Sequence, residues 1–507
     1  MRLVRALVLG SIAVLVSGCP ALIGLDKDYY LDAGSEDADG GGMDVTLDVP
    51  PENACGMNRL ICNGNCIDVS ADPVNCGVCG KKCGQGFACM NSQCTDDVVQ
   101  VAAGGDHACI VLRGGKVYCW GNNTKAEVGV PPAGDVICGT QRCRPSPSDI
   151  GLTDVAEIVL GSASGCARKN DATVWCWGSN QHLELGHSGG DSLCNAQACN
   201  PIAKQVMGVT AQKIGAGLQH YCALTIPGAV YCWGSNSEAE LGRGGGAGAN
   251  SANPAVVPAL SGGVIGISTG LSQHSCAVKA DGTVWCWGYN SRGALGHSPN
   301  SNGDVLDGSL VTYCNGTPKQ VVTDSMGMPF IGLDETTTAE RVSCAHKKMA
   351  GWYCWGNQGH GALGTGGAFD TSNHSAPIAV TVVPGGVVKL ATGSETPCGT
   401  DSTSKLFCWG RNDWGAIGDG TFTGSTCESN IACHTDAIAA LGLTTVALVD
   451  TGSVFAVAKK TDGTIWTWGA NPDARLGHVP NMGGDKTMCA AGTSFCNPTP
   501  TQVMGIP

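Results

Sequence analysis

Thirty cysteines among 507 residues are the side chains of this sequence with the most chemistry to offer. A thiol can close a disulfide, ligate zinc or act as a nucleophile, and spacing separates these cases. Twelve stand in six pairs ten positions apart: Cys109/Cys119, Cys166/Cys176, Cys222/Cys232, Cys276/Cys286, Cys344/Cys354 and Cys398/Cys408. Each pair brackets a segment of β-type composition, such as Cys276 to Ala280 and Thr283 to Cys286 around Asp281-Gly282, which reads as a hairpin. A three-residue turn, Ala280 to Gly282 with its last residue left-handed, places Cys276 opposite Cys286, whereas a two-residue turn would place Ala277 there. Gly fills that third turn position in four copies (Gly115, Gly228, Gly282, Gly463), which favours cross-strand disulfides worth roughly 2–3 kcal/mol each. Reduced thiols buried as small core residues are the alternative. A seventh copy carries Val457 and Thr467 instead, the joint loss expected of a bonded pair.

Eight more cysteines (Cys55, Cys62, Cys66, Cys76, Cys79, Cys83, Cys89, Cys94) crowd into a segment poor in large apolar residues, too small to fold on its own core. They read as a disulfide framework, with zinc as the alternative because Cys62-x3-Cys66 and Cys76-x2-Cys79 suit a metal. Connectivity stays open. His107, His220 and His274 share one repeat position and could ring a metal, but no carboxylate recurs beside them, and repetition points to the same structural hydrogen bond in each copy. We therefore expect no metal. No Ser/His/Asp order, phosphate loop or unique carboxylate pair stands out, so no catalytic residue and no cofactor is expected, and the chain reads as a non-enzyme. With 42 acidic against 29 basic side chains, nucleic acid is a poor partner.

The compartment decides between disulfide and zinc. Arg2 and Arg5 precede an apolar run, Ala6 to Val16, too short to span a bilayer and ordered like an export signal. Its end, Val16-Ser17-Gly18-Cys19, resembles the lipobox of bacterial lipoproteins, which implies a signal peptide over 1–18 and a lipid-bearing Cys19. An incidental Cys after an ordinary signal is the alternative. Attachment would rest on acyl chains, and Pro20 at the following position favours the outer membrane by analogy with enteric bacteria. Residues 19–54, with nine acidic side chains against Lys27, read as a flexible tether. Outside the cytoplasm an even Cys set is a disulfide framework, so residues 55–94 read as a disulfide module. Asn75 to Cys83 resembles short Cys-rich modules in surface proteins of myxobacteria.

Residues 98–507 repeat seven times. Trp-Gly occurs at Trp120, Trp177, Trp233, Trp287, Trp355, Trp409 and Trp468, and nine residues after each Trp stands a Gly preceded by Val, Leu or Ile. Gly is about 15% of the chain against roughly 7% ordinarily, as many tight turns require. Periods of 54 to 68 residues indicate several short strands per unit. The pattern resembles the repeats of the regulator of chromosome condensation family, which implies an all-β, seven-bladed β-propeller. Copy five lacks the Gly-x-x-x-His start and has Gln358 where the others have Asn, so a distorted blade is expected there. The C-terminal Asn497 to Gly505 matches Asn200 to Gly208, taken as a blade-opening strand, so pairing of the C-terminal strand with the first blade is expected to close the ring.

Loops break the repeat. Close pairs Cys138/Cys143, Cys194/Cys199, Cys427/Cys433 and Cys489/Cys496 could staple loops on one face, while Cys314 has no evident local partner and is either free or paired between chains. Rigid loops on one face suit recognition, because order in the free state lowers the entropy cost of binding. Stabilisation of long connectors explains the staples equally well. The reading is a surface lipoprotein whose propeller binds a protein or surface ligand; a glycan-active lyase or hydrolase and a purely structural envelope protein are the alternatives. The resemblance implies precedents in nucleotide exchange on a nuclear GTPase, chromatin contact and β-lactamase inhibition, of which the nuclear roles are out of reach for an exported chain.

Overall fold

The computed structural model describes residue 55 and residues 59–506, apart from 73, 84–86, 91, 308, 310, 368–369, 371, 429–430, 488 and 490–493. Cys19, the signal segment and the tether lie outside the described residues. In the Cys-rich segment, Cys55 bonds Cys66, Cys62 bonds Cys79, Cys76 bonds Cys89, and Cys83 is also disulfide-bonded. Seven antiparallel sheets follow, spanning 98–149, 155–206, 213–256, 264–320, 333–379, 389–439 and 446–502. They are the blades of a β-propeller, numbered 1 to 7. Each runs as a meander from an inner to an outer strand.

The two invariant glycines explain how the blades join. In every blade the third strand shifts register against the outer strand just before the Gly of Trp-Gly, for example between Cys176 and Gly178. That Gly adopts φ between 93° and 112°, and a Cβ at Gly178 would stand 2.6 Å from the Ala163 carbonyl oxygen. Such a bulge re-aims the preceding residue. It turns the Trp out of its own blade, and the indole N–H donates to a backbone carbonyl of the blade before. Trp177 reaches Glu127 O at 2.9 Å, Trp233 reaches Glu184 O at 3.0 Å and Trp287 reaches Glu240 O at 2.7 Å. The second Gly then lies under the ring: at Gly129 (φ 74°) a Cβ would stand 2.9 Å from Trp177 Cδ1. Between carbonyl and Gly, the side chain of Val128, Leu185 or its counterpart is buried in the same seam.

The ring closes differently from the sequence expectation. The strand Phe495–Gln502 pairs with Ile465–Ala470 inside blade 7, Gly469 opposite Asn497, just as Gly178 lies opposite Asn200 in blade 2. The Asn-Pro strand therefore ends a blade, and Val98–Ala103 gives blade 1 its own inner strand. Among the described residues no strand is exchanged between blades 7 and 1. Side chains hold the seam between blades 7 and 1: Trp120 donates to Arg475 O at 2.9 Å, Lys459 bonds Asp97 and the Val98 carbonyl, and Phe455, Leu476 and Val503 pack on Val101 and Ile110.

Blade 5 keeps its shape. Asn side chains in six blades accept the N–H five residues on, as Asn180 does from Leu185 at 3.0 Å, and Gln358 Oε1 accepts from Leu363 at 3.0 Å in the same way. One extra methylene is absorbed without loss of the bond, so the expected distortion does not arise at this position.

Deleting residues 495–507 should speed hydrogen exchange at Ile465–Ala470 and leave Val117–Asn122 protected; closure by strand exchange would give the reverse. Replacing Trp120 by Phe orphans the Arg475 carbonyl and should lower stability in urea by about 1–2 kcal/mol.

Candidate functional site

A meandering blade sends its first and third connections to one face and its hairpin turn, with the link to the next blade, to the other. The third connections are the long ones, so the first face is the loop face and the second the turn face. All four close Cys pairs lie on the loop face and are bonded: Cys138–Cys143, Cys194–Cys199, Cys427–Cys433 and Cys489–Cys496. Five connections add a short fifth strand outside their blade, such as Val136–Cys138 and Ser192–Cys194.

Strand register shows what Cys314 is. The second Cys of each staple faces the residue after Trp-Gly: Asn122 opposite Cys143, Ser179 opposite Cys199, Arg411 opposite Cys433 and Ala470 opposite Cys496. In blade 4 Tyr289 faces Cys314. Ser192 pairs with Cys199, two residues before its partner Cys194, and Val305 pairs with Cys314 in the same way. Two residues after Val305 stands Asp307. Cys314 is therefore half of a fifth staple whose other half is a carboxylate, and Asp307 instead caps its own turn by accepting from Ser309 Oγ (2.6 Å) and the Val311 N–H (3.0 Å). The Cys314 thiol is free, fully buried and pushed up to about 11 by burial, which removes it from reach of another chain.

A second device, missed in the sequence, ties down the same loops. After the invariant Gly, three copies carry His: His187, His297 and His478. Their Nε2 atoms bond Asp191 (2.7 Å), Asp304 (2.8 Å) and Asp485 (2.9 Å), and the repeat Asn donates to the same carboxylates, as Asn180 does to Asp191 at 2.7 Å. In blade 1 Arg144 replaces the His and bonds Asp135. The signal was there, as Leu-Gly-His three times with an Asp four or seven residues on.

The six hairpin pairs are bonded: Cys109–Cys119, Cys166–Cys176, Cys222–Cys232, Cys276–Cys286, Cys344–Cys354 and Cys398–Cys408. In each, Cys lies directly opposite Cys on the second and third strands of its blade, with Cα atoms 4.1 Å apart. Lys279 N–H bonds the Thr283 carbonyl across a turn of Ala280, Asp281 and Gly282. All twelve half-cystines are buried, so Cys119, Cys232, Cys354 and Cys408 on the third strands, like their partners, fix strand register inside a blade and offer nothing to a ligand at either face. In blade 7 Val457 faces Thr467, whose hydroxyl donates to Leu476 O at 2.7 Å.

His220 Nε2 bonds Ser275 Oγ (2.8 Å) and His274 Nε2 bonds Ser343 Oγ (2.7 Å), each one blade on. One blade on from His107 the position equivalent to Ser275 and Ser343 is Gly165, and both ring nitrogens of His107 lack a hydrogen-bond partner. Inner strands of all seven blades line a central cavity of about 260 Å³, where Gln100 bridges to the Ile158 backbone and Asp450 accepts from the Ala103 N–H at 2.9 Å. These polar groups cap strand edges. Among the described residues no group of three or more His, Cys, Asp and Glu is placed to hold a metal.

Burial sets the titration of the seams. It pushes Glu127 up to about 8 and Glu184 and Glu238 up to about 7, and it pushes His107 down to about 4 and His220 and His274 down to about 3.

These features define a seven-bladed propeller whose loop face is pre-ordered by staples and by His–Asp and Arg–Asp contacts. The profile of the regulator of chromosome condensation repeat matches residues 98–126, 211–239 and 264–294, and a second profile of that repeat matches 227–278. The profile of the stigma-specific STIG1-like protein family matches 50–108. The chain is 26% identical over 328 residues to the ultraviolet-B receptor UVR8 of Arabidopsis thaliana, covering 64% of this chain and 67% of that one. It is 32% identical over 206 residues to the E3 ubiquitin-protein ligase HERC2 of Homo sapiens, but spans 4% of that protein's length. Yeast RCC1 (Prp20), solved bound to Kap60, superposes with a TM-score of 0.60 at 17% identity over 81% of this chain and 85% of its own. Human WBSCR16 gives 0.59 at 18% identity over 77% and 94%. The chain thus carries regulator of chromosome condensation repeats on their seven-bladed propeller.

Replacing Asp307 by Cys should complete the fifth staple; a non-reducing peptide map would show the new thiol linked to Cys314. Stability should also fall as pH rises from about 6.5 to 8. Over that window the unfolded carboxyls are already ionised while Glu127 in the fold still holds its proton, so the folded state binds more protons. Replacing Glu127 by Gln should flatten this slope. The histidines act in the other direction below pH 6.5, where the unfolded chain binds protons that the fold refuses, so there they offset the buried carboxyls and the slope should level off.

Proposed function

We propose that this chain is an exported, lipid-anchored surface protein whose propeller is a binding scaffold for another protein, engaged through the stapled loop face. The observation that carries this reading is the presence of exposed apolar side chains on rigid hairpins: Ile137 is 66% and Leu193 77% exposed, each next to a staple Cys. A core would bury such groups. Held out on pre-ordered loops, they act as anchors that lose little freedom when a partner covers them. The same reading accounts for the double fixation of the loops by disulfide and by His–Asp–Asn or Arg–Asp contact.

Solved relatives of the fold support a protein partner. Yeast RCC1 is described bound to Kap60, and Prp20p of Saccharomyces cerevisiae by its binding to Gsp1p and histones. The ligases share only a small part of their length with this chain, so their activity is not carried over. The lipid anchor is drawn from the Val16-Ser17-Gly18-Cys19 ending of the apolar N-terminal run.

Cross-linking on intact cells followed by mass spectrometry should recover one dominant protein neighbour. Replacing Ile137 and Leu193 by Asp should abolish that cross-link while the disulfide map stays unchanged. Mass analysis of the N-terminal peptide should find Cys19 acylated; a free thiol there would remove the anchor from the reading.

A further inference from the structure

Exposed apolar side chains also mark the opposite face. Of the six exposed methionines among the described residues, Met207, Met326, Met328, Met349 and Met504 lie on links or hairpin turns of the turn face, and Met482 lies on the loop face. They concentrate where blade 4 passes to blade 5. There the Asp324 carboxylate, itself buried, accepts the N–H groups of Met326 (3.0 Å) and Met328 (2.9 Å), and the Asp324 N–H donates to Met328 O at 2.9 Å. Phe330 pins the base of this loop, fully buried with its ring edge-on to Tyr353 and Trp355 at 5.6 and 5.9 Å. The Lys348 N–H bonds Gly332 O at 3.1 Å, which brings the blade 5 turn and its fully exposed Met349 alongside Ile331. A buried carboxylate and a buried ring thus hold apolar side chains out in water.

We propose that the turn face docks on a lipid bilayer, with the Met326–Met328 loop and Met349 entering the boundary between headgroups and acyl chains. Two observations select a bilayer over a folded partner. The exposed side chains sit on separate protruding tips in several blades, which fits a flat, deformable surface better than a single concave seat. Lys213 and Lys348 are exposed on the same face and suit anionic headgroups, while the Lys389 ammonium is held by the Ala447 carbonyl at 2.6 Å. Methionine, long and unbranched, adapts to a disordered lipid surface. Docking in this way leaves the stapled loops facing outward. The inference rests on the lipid-anchor reading for the presence of a membrane.

The test uses the full chain with Cys19→Ser, so that no acyl chain contributes, and sedimentation with vesicles of phosphatidylethanolamine and phosphatidylglycerol. Binding is expected, and Met326→Ser, Met328→Ser and Met349→Ser together should weaken it about tenfold, with near-ultraviolet circular dichroism and disulfide map unchanged. Leu193→Ser, on the loop face, should leave it unaltered. Absence of vesicle binding, equal binding by the triple variant, or loss only with Leu193→Ser would overturn the proposal, as would capture of a protein that the triple variant alone loses. Acylation of Cys19 is read separately by mass: an acylated wild-type chain whose Cys19→Ser form ignores vesicles sinks the docking and keeps the anchor, and an unacylated chain that binds them does the opposite.

Discussion

An indole N–H buried away from water must find an acceptor, and in this chain it finds the backbone of the neighbouring blade. All seven repeat tryptophans are fully buried, and each donates to the carbonyl two residues before the invariant Gly of the preceding blade, at 2.7 to 3.2 Å. The constraint propagates through the repeat. The Trp must leave its own sheet, which requires a bulge and a Gly with φ near 100°. Its ring must lie against backbone, which requires the second Gly. The carbonyl must be held in place, which the Asn or Gln side chain does by bonding the N–H next along the turn. Gly-rich composition and fixed spacing are consequences of one donor seeking one acceptor seven times.

Because every seam is made this way, the last seam needs no shared strand. Trp120 and Arg475 repeat at the chain ends what Trp177 and Glu127 do in the interior. What differs is the polar content. Blade 7 lacks the hairpin disulfide, and Lys459, Asp97, Arg475, Asp106 and Asp473 pair across or beside this seam. Elsewhere the contact near the axis is filled by whatever pair fits, His220 with Ser275 or Ser164 with Tyr221. A large group on one blade meets a small one on the next, so close packing is kept while the residues change.

The two faces divide the labour. Connections on the loop face are free of the seams, and their length is stabilised by disulfides and by His–Asp or Arg–Asp contacts. On the turn face the links are short, except between blades 4 and 5, where the added residues form the Met-tipped loop. Rigid scaffolds with variable connectors place recognition where sequence change costs the fold least.

Much of this was legible before any coordinates. Periodic Trp-Gly, the Cys spacing and the three-residue turns are local features, and local geometry sets strand register, so the hairpins and the blade count follow from the chain alone. Loop staples were legible for the same reason, since five to seven residues separate their cysteines. The phase of the repeat was not, because the strand ending one blade and the strand opening the next are adjacent in sequence, and only pairing across space tells which sheet takes Phe495–Gln502. Nor could spacing reveal that Asp307 occupies a Cys position or that Gln358 keeps the hydrogen bond of the Asn it replaces: each depends on groups brought together by the fold. The order of residues determined the unit and its number, while tertiary structure decided where each unit begins and what meets across the seams, because long-range contacts are chosen by the burial and hydrogen bonding of the whole ring.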